Sequence, residues 1–330
     1  MDTTTPGTRR RTGLRFPARL GVAAVAAGTV AGALLAAGPA LAAAAPHTGT
    51  AAYTFTTLDN QADPTFNQLL GINTHNVIAG YFGSGMPGHP NKGYLVHPPT
   101  PPGTFVNENF PGSAQTQVTG IDNKGNTCGF WVDGNGANHG FVEWNGVFES
   151  FNNPKTPHVK GAVNQLLGIN DAGVAVGFYN DAAGNAHPYE VNQATGVFTS
   201  IHIPGTVSAT ATAINDNGDV AGFGKDTAGN TFSWLLHNGQ LTDYQFPGGS
   251  NTQAFGINDH DEIVGSYNDG AGVMHGFTLK APLGPTSHWA SIDDPNGVGS
   301  TTINGLNNAG DLVGFYTDAA GNVDGMLATP

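Results

Sequence analysis

Apolar residues in this chain come in short runs that turn residues keep cutting off. The stretch from Gln165 to Pro204 shows the pattern best. Gln165–Asn170 (QLLGIN) reads as a strand, and Asn170-Asp171-Ala172-Gly173 as a turn. Val174–Tyr179 (VAVGFY) is a second strand, and Asp181–Asn185 a second turn. A third strand runs from His187 to Val191 and a fourth from Val197 to Ile203, stopped by Pro204-Gly205. Four short strands separated by closely spaced turns predict an antiparallel meander.

The meander recurs six times. Its marker, the Asn of Gly-Ile-Asn or a stand-in, falls at Asn73, Asp122, Asn170, Asn215, Asn258 and Asn307, with spacings of 49, 48, 45, 43 and 49 residues. A period of this size belongs to propellers and solenoids. The fourth turn residue is Asn76, Gly125, Gly173, Gly218, Asp261 or Gly310, residue types that tolerate a left-handed backbone. A second glycine, in Val-Gly-x-Tyr, recurs at Gly80, Gly129, Gly177, Gly222, Gly265 and Gly314. Glycine weakens a strand interior, so its recurrence predicts close approach by a neighbouring sheet. Pro111, Pro154, Pro204, Pro247 and Pro295 each follow the fourth-strand aromatic or Leu by six residues and stop the ladder there, because proline has no N–H to donate.

The ends are out of phase with the repeat in a complementary way. Tyr53–Asp59 (YTFTTLD) resembles a fourth strand without its first three, and Asp324–Thr329 (DGMLAT) a third strand without its fourth. A ring uses one to complete the other and leaves no free sheet edge, whereas an open solenoid gains nothing from the offset. The expected fold is therefore all-β: a six-bladed β-propeller of four-stranded antiparallel blades, closed by the N-terminal strand completing the last blade.

The first 42 residues stand outside this scheme. Arg9, Arg10, Arg11, Arg15 and Arg19 precede an apolar run from Leu20 to about Ala37, and Ala40-Leu41-Ala42 offers a small-x-small site for cleavage between Ala42 and Ala43. That is the form of a secretory signal peptide. The predicted organisation is a signal peptide over 1–42, a disordered linker over 43–52 and a single propeller domain over 53–330, with no membrane span in the mature chain. The Arg pair hints at twin-arginine export, although Thr12 and Gly13 fit that motif poorly.

Removing the signal peptide takes five Arg and one Asp. It leaves six Lys and no Arg against 23 Asp and Glu, a net charge of −17. Such a chain repels phosphate backbones, so nucleic acid is excluded as a partner. Cys128 is the only cysteine, so no intramolecular disulfide forms, and stability rests on a packed core for which about 288 residues are ample. Cys128 occupies the slot of Val176 in the next copy, as a small buried apolar residue would.

With His139-Gly-Phe141, His275-Gly-Phe277, the Gly-Ile-Asn turns and the Val-Gly-x-Tyr strands in view, the chain resembles the HAF-repeat family of exported bacterial proteins over residues 53–330. The resemblance implies export and repetition and supplies no catalytic motif. The slot that gives the repeat its His holds Lys92, His139, His187, Phe232, His275 and Asp324, a departure that argues against one shared chemical role.

No nucleophile elbow, zinc motif, phosphate loop or close glutamate pair is legible. Histidines opening third strands lie roughly 10 Å outside the inner strand and in different blades, so they cannot meet around one ion, and no metal site is expected. The turns starting at Asp133, Asp181, Asp226, Asp269 and Asp318 offer too few oxygens for more than weak calcium binding, and no cofactor is expected. Aromatics closing the second strands (Phe82, Trp131, Tyr179, Tyr267, Tyr316) fit core packing, with a sugar-stacking ring as the alternative.

Departures from the repeat carry the site expectation. The second turn of copy one is expanded over 83–93 and holds His89 and Lys92. The passage from copy two to copy three, 152–163, holds Lys155, His158 and Lys160. Both project from one predicted face. His89, Lys92, His158 and Lys160, with Trp131 and His139 near the rim, form the candidate ligand site, a cationic patch for an acidic sugar or carboxylate. The reading is a secreted, monomeric, non-enzymatic propeller binding a glycan or extracellular protein. An exported hydrolase or lyase with a channel-mouth site and a purely structural surface protein are its alternatives.

Overall fold

The computed structural model describes residues 53–98, 104–280 and 287–330. The expected signal peptide over 1–42, its expected cleavage between Ala42 and Ala43 and the expected 43–52 linker lie outside the described residues. Within them the chain is all-β, and six four-stranded antiparallel sheets follow one another in sequence order. No helix of the described residues is long and apolar enough to cross a membrane.

The innermost strands are Asn67–Ile72, Gln115–Ile121, Asn164–Ile169, Thr206–Ile214, Ser250–Ile257 and Thr301–Leu306. Each touches the next, and the sixth returns to the first, which makes the sheets blades of a six-bladed propeller. The third blade, Asn164–Ile169, Val174–Asn180, Ala186–Asn192 and Val197–Ser200, follows the sequence reading closely. The sixth sheet orders Thr301–Leu306, Leu312–Thr317 and Val323–Thr329 outward, and its outermost strand is Thr54–Thr57 from the chain's beginning. Thr54 lies opposite Thr329 and Thr57 opposite Met326. Just beyond, Leu58 N–H donates to the Gly325 carbonyl and Gly325 N–H to the Asp59 carboxylate.

Apolar side chains pack between blades. Cys128, Val142, Leu166, Tyr189 and Val191, from the second and third blades, form one such layer. Cys128 is fully buried, and burial pushes its thiol up to about 12, so it is a packing residue rather than a reactive one.

Every inner strand carries a bulge that the sequence did not disclose. Leu70, Thr119, Leu167, Thr212, Phe255 and Asn304 are skipped in pairing with the second strand. Three of them reach across the seam. Thr119 Oγ1 donates to the Leu166 carbonyl, Thr212 Oγ1 to that of Ala254, and Asn304 Nδ2 to that of Leu69.

The bulge corrects the reading of the Val-Gly-x-Tyr glycines. A Cβ at Gly177 would sit 2.0 Å from the Gln165 carbonyl oxygen in its own blade, and the five equivalents meet the matching oxygen at 1.9–2.3 Å. The obstacle is the bulged partner strand, not a neighbouring sheet. Close approach between sheets occurs instead at the glycine of Gly-Ile-Asn. A Cβ on Gly120 would meet Gly168 Cα at 3.1 Å, and one on Gly168 would meet Ala213 Cα at 2.8 Å.

Candidate functional site: the channel mouth

Each inner strand ends in its Gly-Ile-Asn turn, and these six turns surround the axis at one face. The Asn builds the turn: Asn73 Oδ1 accepts from His75 and Val77 N–H, an Asx turn. The fourth residue is left-handed in every copy, with φ of 57–59° at Asn76 and Asp261 and 72–88° at the four glycines. The Asn amide then reaches the next blade. Nδ2 of Asn73, Asn170, Asn215, Asn258 and Asn307 donates to the carbonyl of Asp122, Asn215, Asn258, Asn307 and Asn73 respectively. The belt lacks its member at Asp122, because a carboxylate has no N–H to offer Asn170.

The second blade holds the pair in reverse. Asp122 Oδ2 accepts from Asn126 Nδ2, whereas the fourth and sixth blades place Asn215 against Asp219 and Asn307 against Asp311. Burial raises Asp122 above the usual carboxylate range, opposed by the hydrogen bonds from Asn126. Exchanging the two, Asp122→Asn with Asn126→Asp, restores the missing donor. We expect a gain of about 0.5–1.5 kcal/mol, the net worth of a typical hydrogen bond, read as a higher urea midpoint. An unchanged or lowered midpoint would show that the belt does not carry stability.

A second belt lies outside the first. The next residue around the ring is Thr74, Asn123, Asp171, Asp216, Asp259 and Asn308. Backbone N–H of Thr74, Asn123, Asp171, Asp216 and Asp259 each donates to the side chain of the following member at 2.8–3.0 Å. These residues rim a cavity of about 70 Å³ whose deeper wall is an aliphatic collar of Ile72, Ile121, Ile169, Ile214, Ile257 and Leu306. The volume exceeds the roughly 10–15 Å³ that one water needs, and it suits a few waters or the tip of one side chain.

Three consecutive rim slots are aspartate. Desolvation raises Asp216, and the charges of Asp171 and Asp259 raise it further, against hydrogen bonds from Asp171 N–H and the Asn123 amide. Lys124 Nζ lies at the same edge, 2.6 Å from the Asp171 carbonyl. The mouth is thus an acidic, backbone-braced ring over an apolar collar. The sequence reading missed it, although aligning the residue after each repeat Asn displays Asp171, Asp216 and Asp259 in register.

The six sequence-predicted residues belong to the opposite face, where second strands turn into third strands. Trp131 and His139 come together, rings stacked at 4.4 Å. Phe110 covers the other face of Trp131 at 4.7 Å, so no ring face is left for a sugar. His89 Nδ1 lies 2.6 Å from the buried Asp63 carboxylate, and Lys92 Nζ donates to the Ala114 carbonyl. His158 and Lys160 are exposed in the passage between blades two and three. That passage is tied by Asn138 N–H to Ala162 and by Lys155 Nζ to Ser200 Oγ, so the two loops are anchored on different neighbours.

The repeat histidines act within their own blades. His139, His187 and His275 stack on Trp131, Tyr179 and Tyr267, and each places Nε2 3.0–3.5 Å from the Asp of its own turn. Those Asp also brace the turn: Asp181 Oδ1 accepts from Ala183 and Asn185 N–H. The bond to His187, with these, holds Asp181 down to about 2.

No family model matches the chain, and no curated protein matches it in sequence. Solved structures resemble it in fold. TolB from Acinetobacter baumannii shares 11% identity over 76% of this chain at a TM-score of 0.50, and the chain spans 63% of that protein's length. AofleA from Arthrobotrys oligospora shares 11% identity over 84% of this chain and 86% of its own, at 0.48. The Aleuria aurantia lectin, a six-bladed propeller, shares 12% identity over 80% and 91%, at 0.49. At such identities the likeness extends to the fold alone.

Proposed function

We propose that the chain is an exported, non-enzymatic propeller that binds a glycan or protein ligand outside the cell, through a cationic group received at the channel mouth. The run of Asp171, Asp216 and Asp259 over an apolar collar carries this reading. An ammonium tip entering the mouth meets carboxylate charge at the rim and aliphatic surface beneath, which suits an amine on a carbon stem. The rim carboxylates accept backbone amides, which fixes them as a binding surface rather than as mobile proton carriers. The basic segment with Arg9–Arg11, the apolar run after it and Ala40-Leu41-Ala42 support export.

The test uses residues 43–330 with glucosamine oligosaccharides and oligolysine, each beside its N-acetylated, uncharged counterpart. Binding is expected for the free amines only, weakening with salt. It should fall at least about tenfold when Asp171, Asp216 and Asp259 are changed together to Asn, which keeps the amide-accepting oxygen and removes the charge. Equal binding of free and acetylated forms, or none of either, overturns the reading. Binding of acidic glycans that is lost in a Lys92→Ala, Lys160→Ala variant would instead move the site to the opposite face.

A further inference from the structure

Behind the belt residue Asn215, on the side turned from the channel axis, the seam between the fourth and fifth blades gathers three metal-ligating side chains. Asp219 immediately precedes the second strand of blade four, His237 closes its third strand, and Asp261 is the left-handed residue of the blade-five turn. His237 Nδ1 lies 3.0 Å from Asp219 Oδ1 and 3.9 Å from Asp261 Oδ2. The three ligand atoms all fall within 4.8 Å of one another. We propose that Asp219, His237 and Asp261 form a divalent transition-metal site that pins blade four to blade five, with zinc the best-matched ion.

Geometry supports the choice. Zinc holds nitrogen and oxygen ligands at about 2.0–2.1 Å in a tetrahedron, which sets ligand atoms roughly 3.3 Å apart. The two distances from His237 bracket that value, so small side-chain rotations bring all three onto one ion. The Asp219 side chain is only 4% exposed, and those of Asp261 and His237 are 28% and 46% exposed. The site therefore has a closed floor and an open side where water completes the tetrahedron. One imidazole with two carboxylates suits a first-row divalent ion, while calcium needs six to eight oxygens.

Surrounding groups orient the ligands as outer partners of metal sites do. Asn215 Nδ2 lies 3.5 Å from Asp219 Oδ2 and 3.3 Å from Asp261 Oδ1, which leaves the opposite oxygen of each carboxylate toward His237. Asn238 Nδ2 sits 2.7 Å from His237 Nε2 and donates to it, which keeps the imidazole proton on Nδ1, against Asp219 Oδ1, in the metal-free site. A metal ion takes the place of that proton at Nδ1, and the Asn238 amide then turns its oxygen to the proton on Nε2.

The arrangement belongs to one seam. At the corresponding place in blade five, Glu262 meets Lys280 at 2.7 Å, and the next turn supplies Gly310 instead of a carboxylate. Asp261 stands where the other turns have Gly125, Gly173, Gly218, Gly310 or Asn76. A metal explains why this left-handed position carries an acid directed at a second acid.

Residues 43–330, stripped with chelator, are titrated with zinc by calorimetry and with cobalt by visible absorption. One equivalent is expected to bind, with d–d bands of a low-coordinate cobalt site and a higher melting temperature in zinc. His237→Gln and Asp261→Asn should each weaken binding by at least about tenfold and abolish the thermal shift. Asn tolerates the left-handed backbone, and circular dichroism verifies both folds. His187→Gln and the Asn triple variant of the channel rim should bind zinc as the parent does. That control separates this site from the mouth. No saturable binding by the parent, or undiminished binding by His237→Gln, overturns the proposal and leaves the trio as an ion pair.

Discussion

Deleting residues 43–60 is expected to lower the melting temperature of the entire ring by more than about 10 °C. The deletion removes the strand Thr54–Thr57 and exposes Val323–Thr329, whose five central residues are buried. It also removes the hydrogen bonds of Leu58 and Asp59 to Gly325 and that between Thr57 Oγ1 and the Tyr316 hydroxyl. Tyr53 and Phe55 leave the core beside Ile303 and Met326, and Leu58 leaves that beside Leu69. At about 1 kcal/mol net per hydrogen bond and up to about 1.5–3 kcal/mol per buried large side chain, the loss is on the order of 5 kcal/mol. One kcal/mol shifts a domain of 150–250 residues by about 2–4 °C. A truncated chain that melts with the parent would show that the N-terminal strand does not hold the ring.

Gly177→Ala is expected to cost about 3 kcal/mol, at the upper end for overpacking, although it adds one methyl group. The new carbon would lie 2.0 Å from the Gln165 carbonyl oxygen and 2.8 Å from Leu166 Cα. Both are backbone atoms of a bulged strand, and neither can turn aside as a side chain would. Gly134, which would meet nothing within 4 Å, is the control, and its change to Ala should shift the denaturation midpoint little. Equal midpoints for the two variants would mean that the bulge gives way easily.

The ring was legible because its evidence is periodic. Six Asn-type turns at near-constant spacing and two complementary ends specify blades, their number and their order. The left-handed turn residues were legible one by one, since Asn76, Gly125 and Asp261 belong to the few residue types suited to that backbone. The bulges were not. Leu70, Thr119 and Asn304 share no chemistry, and an extra residue in a pairing register leaves no mark on a single strand. That is why the Val-Gly-x-Tyr glycines were right in kind and wrong in cause.

Site residues divide along the same line. The reading favoured departures from the repeat and so chose His89, Lys92, His158 and Lys160, which sit in or beside loops anchored on separate neighbours, Lys92 opening the strand Lys92–Val96. The channel mouth is made by the repeat itself, where symmetry converges equivalent residues from all six blades. The trio Asp219, His237 and Asp261 comes from a turn and a strand end of blade four and a turn of blade five, and its members do not stand out until the seam closes.

The strand borrowed from the chain's beginning also bears on when the molecule can fold. Thr57 meets Tyr316 and Asp59 meets Gly325 across 259 and 266 positions of sequence, while a bond within one blade, Tyr81 to Gln68, spans 13. Closing the longer loop costs about 5 kcal/mol in chain entropy against about 2 for the shorter, by the logarithmic law and apart from a common constant. Five blades can each assemble from contiguous chain as it emerges. The sixth blade needs Thr54–Thr57 to meet Val323–Thr329, so its completion is expected to follow that of the others, and until then it presents the unpaired edge of Val323–Thr329 to whatever lies nearby.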